Sequence, residues 1–356
     1  MRRRTTLILL LVLWAYTLSA QIPVNYYLPA EGKSGSELRS ALHNIIDDHI
    51  VSSYTKLWTD FQSTDRKPDG KVWDMYSDKP GLIPPYTYTF VTNQCGNYDS
   101  EADCYNREHS FPKSWFGGEV YPMYSDLFHL FPTDGWVNNK RGNFPFGPTS
   151  SPTWTSMNGS KLGPSSWPGY TGVVFEPIDA YKGDFARAIL YMGVRYYTED
   201  SSWPGSDMVT GSTPNEWAKA LLLKWHSDDP VSQKEIDRNN AVHDIQENRN
   251  PFIDRPEFAA LLWGTSSSSE SPSAAQARLL LYPVPARDNL RVVVPEEFSG
   301  RVTISFYTLT GKEMLHSKHD QTGAVDLDIS TLPQGAYIVT VWNNERAISS
   351  IVPVIR

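Results

Sequence analysis

Residues 265–278 read TSSSSESPSAAQAR and carry no large apolar side chain. A hydrophobic core cannot continue through such a stretch, because burial of apolar surface is what offsets the entropy of ordering a chain. The 356-residue chain must therefore fold as two pieces joined by a flexible Ser-rich linker. At the N-terminus, Arg2, Arg3 and Arg4 precede an apolar run from Leu7 to Leu18, then Ser19 and Ala20. That pattern predicts a secretory signal with cleavage after Ala20. The expected organisation is an export signal at 1–20, a first domain at 21–264, the linker at 265–278 and a second domain at 279–356. No later run reaches the roughly 20 apolar residues that a membrane span needs.

Charge and cysteine content narrow the reading further. The formal net charge is −8, and about −11 once the N-terminal arginines are removed. Nucleic-acid binders are usually basic, so a protein of this balance would grip a polyanion only through a locally positive groove or a bound dication. The two cysteines, Cys95 and Cys104, suggest one disulfide in an exported chain, the alternative being two buried free thiols.

The first domain carries helical signals. Ser34-x-x-Glu37 reads as a capping box ahead of a stripe of Leu38, Leu42, Ile45, Ile46 and Ile50. A second stripe runs through Phe185, Ala188, Ile189, Met192 and Tyr196, with Arg187, Tyr191 and Arg195 on another face. Thr213-Pro214, Asp229-Pro230 and Asp254 each mark the start of a further helix, the last stopping at Gly264. Residues 65–175 are dense in Pro, Gly and aromatics, which predicts loops, short strands and one helix near 134–141. The second domain holds seven short strand-like runs punctuated at Pro283, Pro295, Gly300, Gly311, Gly323 and Gly335. That spacing predicts a small antiparallel β-sandwich.

Two segments of the first domain concentrate chemistry: NREHSFPKSW at 106–115 and DLFHLFPTDGWVNNKRGNFPFG at 126–147. Glu108 and Asn138 each offer an oxygen to a hard divalent cation, and magnesium held by few protein ligands keeps sites for water and phosphate. His109 titrates near neutrality and is able to take a proton from an attacking water. Neighbours on a strand point to opposite faces, so Glu108 and His109 share a site only if the backbone bends near Pro112. Thr133 or Asp134 is placed to cap the helix carrying Asn138. Arg141 and Arg187 are candidates for the phosphate because a guanidinium fork meets two oxygens at once. Each has a plainer reading: Asn138 as a polar helix residue, Arg187 as an ion-pair partner of Asp184 or Glu176. His129, flanked by Leu127-Phe128 and Leu130-Phe131, reads as a buried structural histidine.

Those two segments, with VFEPIDAYKGDFARAILYM and QENRNPFIDRPEFAALLWG, closely resemble the bacterial endonuclease I family of exported nucleases, over nearly all of 25–264. The resemblance implies an α+β fold, largely helical, with a ββα-metal core of two short strands and a helix. It implies hydrolysis of DNA, and often RNA, with little sequence preference, using magnesium, with manganese or calcium as alternatives. Matched by position, His109 corresponds to the general base and Glu108 and Asn138 to the metal ligands. Arg107, Arg141 and Asn143 match substrate-side positions of the motif. Cys95 and Cys104 match a disulfide upstream of the site. Arg187, in a recurring Gly-Asp-x-Ala-Arg segment, stands as the candidate transition-state arginine.

Residues 279–356 are similar to C-terminal sorting domains of the type IX secretion system, through Leu281-Tyr282-Pro283-Val284-Pro285-Ala286, Tyr307-Thr308-Leu309-Thr310-Gly311-Lys312 and Leu332-Pro333-Gln334-Gly335-Ala336-Tyr337. The usual Pro-Asn-Pro is Pro-Val-Pro here. The expected protein is a monomeric, secreted or cell-surface, metal-dependent endonuclease that leaves the cell through the periplasm and that secretion machinery. It yields 5′-phosphate and 3′-hydroxyl ends. The competing readings are a non-catalytic surface nucleic-acid-binding protein and a metallohydrolase acting on another phosphodiester.

Overall fold

The computed structural model describes residues 22–264 and 279–355, apart from 295–297, 299, 309–311, 321–322 and 344–346. The expected export signal and Ser-rich linker lie outside the described residues, as do the turn positions Pro295 and Gly311 and the Leu309-Thr310-Gly311 part of one sorting motif. The chain divides into two units on either side of Gly264.

Helix α1 (Gly35–Ile46) buries Leu38, Leu42 and Ile46. It ends at Asp47, whose extended ψ of 171° breaks the helix one turn before Ile50. Ile50, expected on the stripe, is therefore left 51% exposed. The Ser34 side chain makes no cap bond, so the expected capping box does not close. After α2 (Leu57–Thr64) come strands β1 (Tyr105–His109) and β2 (Leu130–Asp134), which pair antiparallel. Helix α3 (Gly135–Arg141) follows β2 without a connecting loop. A three-stranded antiparallel sheet then forms from β3 (Trp154–Thr155), β4 (Lys161–Pro164) and β5 (Val173–Glu176).

Helix α4 (Lys182–Arg195) is the centre of the unit, with every residue from Gly183 to Arg195 buried. A helix enclosed on all sides must have its charges paired internally. Asp184 meets Lys234 at 2.5 Å, Arg187 meets Glu235 at 2.5 Å, and Arg195 meets Asp47 and Glu199 at 2.7 and 2.6 Å. Thr213-Pro214 does not open a helix. It forms strand β7, paired with β6 (Val209–Thr210), and α5 runs from Glu216 to Asp228. Helix α6 (Gln233–Gln246) likewise starts beyond Asp229-Pro230, because Ser232 and Glu235 form a complete capping box there. Short α7 (Pro251–Asp254) leads to α8 (Glu257–Trp263), which packs on α1 and buries Trp263 against Phe252 with ring centroids 5.3 Å apart.

In the second unit each of the seven strand-like runs is a strand: β8 (Leu280–Tyr282), β9 (Asn289–Val294), β10 (Val302–Thr308), β11 (Glu313–His319), β12 (Gly323–Asp328), β13 (Gly335–Trp342) and β14 (Ala347–Val354). They form two antiparallel sheets, ordered β12-β9-β8 and β11-β10-β13-β14. Period-two alternation directs Leu290, Val292 and Val294 of one sheet and Ile304, Val339 and Val352 of the other into a shared hydrophobic core. Among the described residues no helix is long and apolar enough to cross a membrane.

Candidate active site

Asp134 is both the last residue of β2 and the N-cap of α3. Its Oδ1 accepts from the Val137 amide at 2.8 Å, and its Oδ2 accepts from the Tyr88 hydroxyl at 2.6 Å and the Ala102 amide at 2.8 Å. Its own N–H donates to Asp74 Oδ2 at 3.1 Å. Burial, with the Asp134 charge beside it, pushes the Asp74 carboxyl up to about 8, so at neutral pH it is mostly protonated. The next residue is Gly135, where a Cβ would lie 2.5 Å from the Tyr98 ring, so a larger residue there would have to displace that ring.

The other end of α3 is fastened to the end of β1. Arg141 is 0% exposed; its Nη1 lies 3.2 Å from Glu108 Oε1 and donates to the His109 carbonyl at 2.9 Å, while Nη2 donates to the Ser110 carbonyl at 2.6 Å. Asn138 stands one turn earlier, on the same face of α3 as Arg141, and is half-buried. Glu108 also accepts the Tyr76 hydroxyl at 2.9 Å on Oε1. Among the described residues nothing donates to Oε2. Burial pushes the Glu108 carboxyl up to about 7, a rise that Arg141 and Tyr76 only partly oppose.

His109 lies against aromatic rings. Its imidazole is nearly parallel to Tyr54 and Tyr124, with centroids 5.7 and 5.5 Å away. Nε2 sits 3.1 Å from the Tyr124 carbonyl, which only accepts, so Nε2 carries the hydrogen and Nδ1 keeps the lone pair. Burial, then the neighbouring His129, Lys113 and Arg107, holds the His109 pKa well below its ordinary value, leaving the ring neutral at pH 7.

Glu108, His109, Arg107, Asn138 and Arg141 thus gather on β1 and α3, and Asn143 is exposed just past the end of α3. The expected bend between Glu108 and His109 is absent: both keep regular register with β2, opposite Phe131 and Leu130. The two side chains leave opposite faces, Glu108 toward Tyr76 and Arg141, His109 toward Tyr54 and Tyr124. Arg141 is enclosed and engaged by Glu108 and two carbonyls, which corrects its expected place on the substrate side. Arg187 is not brought to the group. It is 0% exposed, pairs with Glu235 through Nε at 2.5 Å and Nη2 at 2.9 Å, and donates from Nη1 to the Asp229 carbonyl at 2.9 Å. A guanidinium so saturated has no fork left for a phosphate, and its acid partner is neither Asp184 nor Glu176. His129 is fully buried, with Nε2 2.7 Å from the Met123 carbonyl.

Cys95 and Cys104 form a disulfide with Cα atoms 5.9 Å apart. Cys104 immediately precedes β1, and its carbonyl accepts the Gly135 amide at 2.9 Å, so the bridge braces the start of both β1 and α3. Replacing both cysteines by alanine is expected to destabilise the unit by about 2–3 kcal/mol, the loop-closure value for so short a ring. A urea midpoint unchanged from wild type would contradict this. Tyr54, Tyr76, Tyr124 and Asp74 carry no sequence signal linking them to β1; only tertiary packing brings them there.

Residues 34–257 match the family model described as Endonuclease I. The chain belongs to the endonuclease I family. Residues 280–354 of this endonuclease I protein match the secretion system C-terminal sorting domain. It is 39% identical over 247 residues to an extracellular ribonuclease of Bacillus amyloliquefaciens, covering 67% of this chain and 78% of that protein. An extracellular ribonuclease of Bacillus subtilis is 36% identical over 245 residues, with the same two shares of 67% and 78%. A periplasmic deoxyribonuclease of Aeromonas hydrophila is 27% identical over 145 residues, 38% of this chain and 50% of that protein. This endonuclease I protein is a secreted or cell-surface nuclease with a type IX sorting domain.

Proposed function

We propose that the chain is a metal-dependent endonuclease that hydrolyses DNA and RNA with little sequence preference, to 5′-phosphate and 3′-hydroxyl ends. What supports this is Arg141, whose contacts with Glu108 and the His109 and Ser110 carbonyls fasten α3, which carries Asn138, to the end of β1, where Glu108 and His109 leave opposite faces of the strand. On this reading β1, β2 and α3 are a ββα-metal core. The domain limits are 1–20, 21–264, 265–278 and 279–356. The tail is a β-sandwich read by type IX secretion machinery, and the protein works as a monomer.

The residues fit a hard dication. Glu108 offers a buried carboxylate whose pKa burial raises to about 7 against the opposing pull of Arg141, and Asn138 adds an amide oxygen. Among the described residues no group of three or more His, Cys, Asp or Glu forms a fuller metal cage. Few protein ligands is the habit of magnesium at phosphate sites. When bound, the ion supplies positive charge to the phosphoryl and leaving oxygens. The Tyr124 carbonyl holds the Nε2–H of His109, so that Nδ1 takes the proton of the attacking water. The water oxygen joins phosphorus, the P–O3′ bond breaks, and the leaving oxygen is protonated to the 3′-hydroxyl. Asn143, exposed beyond α3, faces the solvent from which substrate arrives.

The test is plasmid digestion in magnesium with and without chelator. Nicking and linearisation that stop on chelation and return with added magnesium are expected. Stable protein–DNA complexes with no new ends would instead favour a binding protein, and cleavage indifferent to chelator would remove the metal.

A further inference from the structure

Arg107 is half-buried and differs from the enclosed arginines of the nuclease unit. Arg141, Arg187, Arg195, Arg238 and Arg249 each form an ion pair, as does the half-buried Arg255. Among the described residues no carboxylate pairs with Arg107. Its Nη1 donates to the Tyr54 carbonyl at 2.8 Å, and its buried Nε–H has no partner. Arg39 and Arg66 also lack an acidic partner, but they are engaged by the Gly193 carbonyl and Thr213 hydroxyl, and by the Gln62 and Gly70 carbonyls.

Its position is equally specific. Arg107 and His109 are two residues apart on a strand with unbroken register, so their side chains leave the same face. Both rest on one ring. The Arg107 guanidinium lies 3.8 Å from the centroid of Tyr54, and the His109 imidazole stacks on the same ring at 5.7 Å and 18°. Trp58 lies 4.4 Å from the guanidinium. Tyr54 is itself fixed, its amide donating to the Tyr121 hydroxyl at 3.2 Å and its ring stacked 4.1 Å from Tyr124.

The geometry points to Arg107 as the arginine that meets the scissile phosphate, held on the His109 side of β1 by Tyr54. The inference rests on the phosphodiesterase reading above and adds its anion-contacting group, the part the sequence offered to Arg141 and Arg187 while matching Arg107 only to a substrate-side position. An unneutralised guanidinium with a donor to spare suits an oxyanion, whose two oxygens match its planar fork. Charge that grows on the phosphoryl oxygens during in-line attack is stabilised by a donor already in place. Tyr54 acts through Arg107 and is a positioning residue: its ring and carbonyl set the height of the guanidinium beside the imidazole.

The test uses the full-length protein and a labelled DNA duplex, with Arg107→Ala, Arg107→Lys, Tyr54→Ala and Tyr54→Phe, each checked by thermal melting. Arg107→Ala is expected to lower kcat by about 10²–10³, with a smaller change in KM. Arg107→Lys recovers part of that, because an ammonium keeps the charge and loses the fork. Tyr54→Ala falls by up to about 10², the effect of misplacing a group by roughly 1 Å, and Tyr54→Phe keeps more of the rate because it keeps the ring. Separately, binding of the same duplex in chelator is followed against salt; Arg107→Ala is expected to reduce the slope of log K against log salt by about one. Wild-type turnover in Arg107→Ala, or a loss fully recovered by lysine with the slope unchanged, overturns the inference. If the wild type fails to cut in magnesium, the phosphodiesterase reading falls; the slope then decides alone, and an unchanged slope overturns the phosphate contact as well.

Discussion

Substituting His109 with alanine is expected to lower plasmid cleavage by about 10²–10⁴, the usual contribution of a positioned general base. The imidazole is suited to that part in three ways. It is neutral, because burial and nearby positive groups hold its pKa well below the ordinary value. Its tautomer is fixed by the Tyr124 carbonyl, 3.1 Å from Nε2. Its plane is nearly parallel to the stacked pair of Tyr54 and Tyr124 beside it. The measurement is the initial nicking rate in magnesium beside a melting curve. Losing the ring opens a cavity among Tyr54, Tyr124 and Phe116, so His109→Gln serves as the companion variant that keeps more volume. Undiminished nicking by either variant, with the fold intact, would mean that some other group takes the proton.

The largest effect on stability is expected at Arg141. Arg141→Met should destabilise the nuclease unit by about 3–5 kcal/mol, the scale seen when one partner of a buried ion pair is removed. Glu108, 2% exposed, would be left without its guanidinium, and the His109 and Ser110 carbonyls would lose their donors. Glu108→Gln in the same chain removes the carboxyl left without its partner and is expected to recover part of the loss. Urea denaturation of the wild type, both single variants and the double completes the cycle. Additive single effects would show that Arg141 and Glu108 do not act on each other.

The sequence made local features legible and left tertiary ones hidden. Helix α3 was foreseeable because Asp134 caps it through a bond three residues away. The starts of α5 and α6 were misplaced because competing local signals stood within a few residues: Thr213-Pro214 is taken by a strand pair, and Ser232 with Glu235 outweighs Asp229-Pro230. The strands of the second unit were readable since one wet and one dry face force alternation. Within the site, Glu108, His109 and Asn138 stood out because their segments carry motifs, whereas Tyr76 reaches Glu108 from 32 residues upstream with nothing to announce it. Arg187 and Arg141 show the opposite failure. An arginine in a motif looks the same whether it greets a ligand or locks a helix, and only its neighbours tell the two apart.

Trp263, buried against Phe252 at the last turn of α8, sets a limit on trimming. A protease that detaches the sorting tail downstream of Gly264 leaves the catalytic body whole. A cut even a few residues earlier would pull an indole from the interior, so only a cleavage after Gly264 would leave the first unit whole.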